Sequence, residues 1–185
     1  MQYVICGIGG QGILFATKVL GHVALARGEH VTGSEVHGMS QRGGSVISHF
    51  KTGDNESPLV CAGKADVLLA FDQKEALRNY HFLRPGGCAV VNAEEPESLA
   101  QPDLSQFFEA MSLDMVSVPG YDILKKEMGG RFLFLNSLML GALCSAPGSG
   151  VSPGDAREAV GDLSPKRFRN DNLQAFDLGL ASATH

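Results

Sequence analysis

The chain has 185 residues and a mass of 19.6 kDa, which fits one domain, taken here as 1–185. With 44% apolar residues it can bury a core, and wholesale disorder is excluded. A net charge of −5 and a pI of about 5.6 exclude a general nucleic-acid footprint.

The chain opens as strand, glycine loop and helix. Gln2 to Cys6 is a short apolar run of strand type, followed by Gly7-Ile8-Gly9-Gly10-Gln11-Gly12. Ile13 to Arg27 reads as a helix with a buried stripe drawn from Ile13, Leu14, Ala16 or Val19, Leu20, Val23 and Leu25, stopped by Gly28. His30 to Val36 is a second strand, and Glu35 to Gly44 a polar, glycine-rich loop. Ser45 to Lys51 alternates like a strand with two different faces, and Thr52 to Asn55 is turn chemistry. Leu59 to Cys61 is a candidate short returning strand.

A βα rhythm then begins. Val67 to Phe71 and Cys88 to Asn92 are continuous apolar runs, as in strands buried on both faces. Between them, Gln73 to Leu83 reads as a helix ended by Pro85-Gly86-Gly87. Asp114 to Val118 is a further strand. Beyond it come helices over Tyr121–Met128, Arg131–Ala146, Pro153–Leu163 and Asn170–Ala183. The expected fold is α/β and Rossmann-like: a mostly parallel sheet flanked by helices, with a helical C-terminal third. The most apolar stretch, Phe132 to Ala146, falls short of the roughly 20 residues of a membrane span. The N-terminus has no signal-length apolar run, so a cytoplasmic protein is expected. Four cysteines, at 6, 61, 88 and 144, form no pair with metal-ligand spacing, so no metal site is expected.

Two segments carry chemistry. Gly7, Gly9 and Gly12 match GxGxxG, and with Gly10 and Gln11 they form a candidate anion-binding loop at a helix N-terminus. A dinucleotide site also wants an acid ending the second strand to hold the ribose. Glu35 is late for that role and begins the polar loop; the plain alternative is that the glycines merely pack helix against strand. The second segment, Glu35 to Ser45, offers Glu35, His37, Gln41 and Arg42 with the flexible Gly43 and Gly44 at the carboxyl end of a strand, where open α/β sheets bind ligands. A Glu35–Arg42 pair that merely shapes the loop is the plain alternative. Lys166, Arg167 and Arg169 form a second basic spot, read as a solvated loop or a subunit contact.

GIGGQG at 7–12 followed by SEVHGMSQRGGSVISH at 34–49 resembles the gamma-type subunits of 2-oxoacid:ferredoxin oxidoreductases. The wording EVHGMSQRGG is most similar to the small (beta) subunit of indolepyruvate:ferredoxin oxidoreductase. Ala65–Phe71, Glu75-Ala76-Leu77, Leu83–Gly87, Asn92, Asn136–Ala142 and Asn172–Phe176 agree with it, so the resemblance spans nearly the whole chain. It implies a complex that decarboxylates a 2-oxoacid, transfers the acyl group to coenzyme A and reduces ferredoxin. Thiamine pyrophosphate, Mg²⁺ and four-iron clusters would be held mainly by the partners, which are thiamine-binding and ferredoxin-like subunits. This chain alone would bind no cofactor and would complete the assembly near the active site. Within the polar loop, Glu35, His37, Gln41, Arg42, Gly43 and Gly44 match the family's loop residue for residue. Arg42 suits a carboxylate or phosphate, and His37 is an imidazole that can titrate near neutral pH or simply hydrogen-bond. Two other functions stay open: a free-standing nucleotide-binding enzyme, and a scaffold subunit without contact to the active site. Only 19% of residues are charged and 23 are glycines, so a weakly charged face including Val36 and Met39 is expected around the loop, covered by a partner or a second copy.

Overall fold

The computed structural model describes residues 1–38, 43–55, 57–94 and 102–182. Strand β1 (Gln2–Ile8) alternates as a strand buried on both faces must: Tyr3 and Ile5 enter the larger of two apolar cores, Val4 and Cys6 the smaller. The chain turns through Gly12, at φ 87°, into helix α1 (Ile13–Ala26). That helix buries Ile13, Ala16, Val19, Leu20, Val23 and Ala24. Leu14 and Leu25 are exposed instead, because they share the solvent side with Lys18, off the i, i+3, i+7 stripe that starts at Ile13.

Strands β2 (Val31–His37) and β3 (Ser45–Thr52) form an antiparallel hairpin. Glu35 and Val36, where the expected strand and loop overlap, therefore belong to the strand, and so does His37, which the sequence reading places in the loop. Strands β4 (Ala65–Ala70), β5 (Leu83–Asn92) and β6 (Asp114–Val118) follow, and the sheet order is β2-β3-β1-β4-β5-β6. Strands β1, β4, β5 and β6 are parallel neighbours, and β3 alone runs against them, wedged between β2 and β1. The mostly parallel sheet is as expected, but the insertion of β3 is not visible in the sequence. Leu59 to Cys61 forms no strand.

Helices α2 (Gln73–Asn79) and α3 (Pro102–Ala110) cover one face, over the smaller core. Helix α2 stops earlier than expected, because a 3₁₀ turn over Tyr80–Phe82 leads straight into β5. Helix α3 has no counterpart in the sequence reading. The other face carries α1 with α4 (Gly120–Met128), α5 (Leu135–Ser145), α6 (Pro153–Leu163) and α7 (Arg169–Ser182). Helix α5 is buried from Ser137 to Cys144 and lies against α7. A Cβ on Gly141 would overlap the Phe176 carbonyl, and one on Gly179 the Leu138 carbonyl, so these two glycines let the helix backbones touch. The buried Ser137 hydroxyl donates to Asn172 Oδ1 at 2.6 Å and ties the same pair together. Among the described residues no helix is long and apolar enough to cross a membrane.

Candidate functional site at the carboxyl edge of the sheet

Every parallel strand ends at one edge, and the glycine loop lies there. Its shape is enforced from inside. The Gln11 side chain folds back so that Oε1 accepts the Ile8 N–H at 2.7 Å. Its Nε2 donates to the Phe71 carbonyl at 3.2 Å and to the Tyr121 hydroxyl at 2.9 Å. Asn92 continues the girdle: Nδ2 donates to the same Phe71 carbonyl at 3.1 Å, and Oδ1 accepts the Gly120 N–H at 2.9 Å. Gly7 must lack a side chain, since a Cβ would sit 2.6 Å from Gln11 Oε1 and 2.9 Å from Phe71 Cβ. Gly12 is pressed by the Asn136 side chain at the start of α5.

This plug changes what the loop can bind. In a doubly wound sheet the ligand crevice opens where helices switch faces, here between β1 and β4. Gln11 fills that crevice by bridging Ile8 to Phe71. In addition, β3 pushes β2 two strand spacings from β1, about 9.6 Å away. Glu35 is thus displaced from where a ribose-binding acid would stand, which together with the Gln11 plug argues against a dinucleotide here.

The open space lies on the α1 side of the hairpin. Residues facing each other across β2 and β3 share a face, so Glu35 lies beside Ser48 and His37 beside Val46, on the α1 side. A pocket of about 650 Å³ is lined by Gly9, Gly10, Gly12, Ile13, Leu14, His37, Gly38 and Val46. A cleft of about 390 Å³ continues past Leu14 between α1 and β2, with Lys18 and Glu35 on its walls and Thr17 and Ser48 also lining it. The Thr17 hydroxyl donates to Ser48 Oγ at 3.0 Å. Helix α1 starts without a side-chain cap or an acid in its first turn, so its N-terminal amides and dipole face the pocket unopposed. Glu35 and His37 are exposed, and the pocket brings His37 onto the glycine loop.

The stem of the 38–45 loop is described. The Gly38 N–H donates to the Ser45 carbonyl at 2.8 Å, and the Gly9 N–H to the Gly44 carbonyl at 2.9 Å. Gln41 and Arg42, with Met39 and Ser40, lie outside the described residues. The second basic spot is engaged locally: Arg167 stacks over Phe168 and Arg169 pairs with Asp162 at 3.4 Å. Sequence reasoning misses Gln11 as the plug, and Tyr121 and Asn92 as its partners. The only signal for them is that polar residues stand where strand ends turn into helices.

Among the described residues no three His, Cys, Asp or Glu side chains gather where they could hold a metal ion. Cys6, Cys88 and Cys144 are buried. Burial is the chief cause that pushes the Cys88 thiol up to about 11 and Cys144 to about 12, and it pushes Cys6 higher still. Buried protonated thiols are poor ligands and nucleophiles. The cysteines therefore do not fit an iron–sulfur cluster. What the edge offers is a concave surface with a positive helix end, suited to an anion or a docking partner.

Residues 2–182 match the family model described as pyruvate ferredoxin/flavodoxin oxidoreductase. The chain belongs to this family. An indolepyruvate oxidoreductase subunit IorB from Pyrococcus horikoshii is 36% identical, over 97% of this chain and 94% of the relative. A 2-oxoglutarate synthase subunit KorC from Methanothermobacter thermautotrophicus is 29% identical over 95% and 90%. Among solved structures, the gamma subunit of a keto/oxoacid ferredoxin oxidoreductase from Geobacter sulfurreducens superposes with a TM-score of 0.75 at 25% identity, covering 97% of this chain and 96% of that one. The family's fold also recurs inside a longer chain. The 2-oxoglutarate:ferredoxin oxidoreductase of Magnetococcus marinus matches 98% of this chain with only 30% of its own, at a TM-score of 0.71 and 21% identity.

Proposed function

We propose that the chain, acting as one unit over 1–185, is the gamma-type subunit of a cytoplasmic 2-oxoacid:ferredoxin oxidoreductase of the indolepyruvate kind. The complex converts a 2-oxoacid, coenzyme A and two oxidised ferredoxins into acyl-CoA, carbon dioxide, two reduced ferredoxins and a proton. Thiamine pyrophosphate with Mg²⁺ supplies the carbanion chemistry and four-iron clusters the electron path, both on partner subunits. The chain's own contribution is its carboxyl edge. The open pocket between the α1 N-terminus and His37 carries this reading, because its uncapped helix end favours an anionic group or a partner surface. Glu35, His37, Gly43 and Gly44, with Gln41 and Arg42, are the residues assigned to that contact; of the glycine-loop residues, Gly9, Gly10 and Gly12 face the anion, while Gly7 and Gln11, expected to join them, support the loop from behind. The recurrence of this fold within a chain about three times longer supports a role as one module of an assembly.

Purification of the chain alone and together with its thiamine-binding partner tests the proposal. The lone chain is expected to be colourless and without ferredoxin-reducing activity, and the joint preparation to reduce ferredoxin when given indolepyruvate and coenzyme A. Activity of the partner that is indifferent to this chain refutes the assignment.

A further inference from the structure

Glu75 is the one carboxylate-bearing residue of α2 that is buried, only 3% exposed, on a helix that packs over the apolar smaller core. A helix face that needed only to pack would carry Ala or Leu there, as Ala76 does beside it. A buried carboxylate is tolerated when its oxygens are hydrogen-bonded. One Glu75 oxygen pairs with the Arg78 guanidinium, one turn along the same helix. The other, Oε2, accepts the Ser45 hydroxyl at 2.6 Å, from 30 residues away in the chain.

Ser45 is the first residue of β3 and the last of the loop stem. Its carbonyl receives the Gly38 N–H, and Gly44 just before it receives Gly9. The stem is thus held at three points. Two are backbone bonds that any sequence would make. The third needs a hydroxyl at 45 and an acceptor at 75. Side-chain alternation along β3 sends Ser45, Ile47 and His49 to the α2 face and Val46 and Ser48 to the α1 face. The loop stem therefore borders the open pocket on one side and is pinned on the other.

We propose that Glu75 is a positioning residue: through Ser45 it fixes the stem formed by Gly38, Gly44 and Ser45 against the glycine loop at the edge of the pocket. Its consequence for activity rests on the reading of that edge as the working face. Its consequence for the stem does not.

Amide hydrogen exchange of the lone chain reads the stem directly. Ser45→Ala and Glu75→Ala are each expected to speed exchange at Gly9 and Gly38 by about tenfold or more, while Leu68 and Val90 in the sheet centre keep their rates. Glu75→Gln, which retains an oxygen acceptor, is expected to stay within about threefold of the parent. The double variant should exceed the single variants by less than about twofold, because both remove one shared bond. In the reconstituted complex, the two alanine variants should raise the amount of this chain needed for half-maximal ferredoxin reduction by about tenfold, with the saturated rate within about twofold. If Glu75→Ala fails to fold, Ser45→Ala carries the test alone. Unchanged exchange at Gly9 and Gly38, additive effects in the double variant, or faster exchange spread evenly over Leu68 and Val90 overturns the positioning role. Faster stem exchange with an unaltered complex leaves Glu75 as the pin of the stem and refutes the working-face reading instead.

Discussion

Replacing Gln11 by Ala removes three hydrogen bonds at once, and their unequal weights set the expected cost. The Phe71 carbonyl keeps Asn92 as a donor, and the Tyr121 hydroxyl is free to turn elsewhere. Ile8 N–H has no such substitute: it sits at the end of β1 and its acceptor is the Gln11 amide. Leaving this part-buried donor unpaired costs about 1–2 kcal/mol, the lower part of the range for a fully buried one, and the two lesser bonds add about 0.5–1 kcal/mol together. A total of about 1.5–3 kcal/mol corresponds to a fall in melting temperature of about 5–10 °C for a chain of this size. Thermal unfolding of the lone chain by circular dichroism measures it. Gln11→Glu sharpens the test, since it keeps the oxygen for Ile8 but turns a second oxygen on the Phe71 carbonyl. That variant should be no more stable than Gln11→Ala. A shift below about 2 °C for Gln11→Ala would refute the account of the side chain as a structural plug.

Calorimetry with NAD or NADH should give no binding in the low micromolar range, because Gln11 fills the crevice and β3 displaces Glu35; a weak sulfate site at the α1 N-terminus is compatible with this. His49 is buried, accepts the Val60 N–H through Nδ1 at 3.3 Å, and has its pKa held below the ordinary 6.5 by burial first and by Lys51 second. Below pH 6.5 the unfolded chain takes up a proton that the folded chain resists, so stability is full above that pH and is lost as pH falls towards the lower folded value. Relative to His49→Gln, which cannot titrate, the parent should lose melting temperature between pH 7 and 5, and parallel curves would contradict this. Arg42→Ala should leave the melting temperature of the lone chain within about 2–4 °C, since an exposed pair contributes at most about 1 kcal/mol, while weakening the assembled enzyme by about 2–5 kcal/mol if Arg42 meets a carboxylate or phosphate in a desolvated contact. A large stability loss with unchanged activity of the complex would make Arg42 structural.

The parts of this fold that the sequence exposes are those where local signals coincide. Strand, glycine loop and helix announce themselves between Gln2 and Ala26 because apolar run, GxGxxG and a 3.6-residue stripe follow one another. The buried strands β4 and β5 stand out as unbroken apolar runs, and α6 is bracketed by Ser152-Pro153 and Leu163. Strand order is a different matter. Nothing in Ser45 to Thr52 says that β3 enters between β1 and β2, because cross-strand partners lie far apart in sequence. Helix α3 is legible after the fact: Leu104, Phe107 and Phe108 stand at i, i+3, i+4 behind the Pro102-Asp103 helix-start signal, a short stripe that the sequence reading passes over. Glu35 and His37 are legible as functional types, but their placement on the α1 face follows only from the register with Ser48 and Val46. Gln11 and Glu75 act through contacts with Phe71, Tyr121 and Ser45, which no local pattern records.

On the proposed function, the carboxyl edge, and not the helical side, meets the rest of the enzyme. Hydrogen exchange of the chain alone and within the reconstituted complex tests it most directly. Assembly is expected to slow exchange by about tenfold or more over Gly10–Phe15 and Val31–Gly38, while α6 and the outer half of α7 exchange as before. Protection confined to Pro153–Leu163 and Arg169–Ser182, with the glycine loop and β2 unchanged, would contradict it.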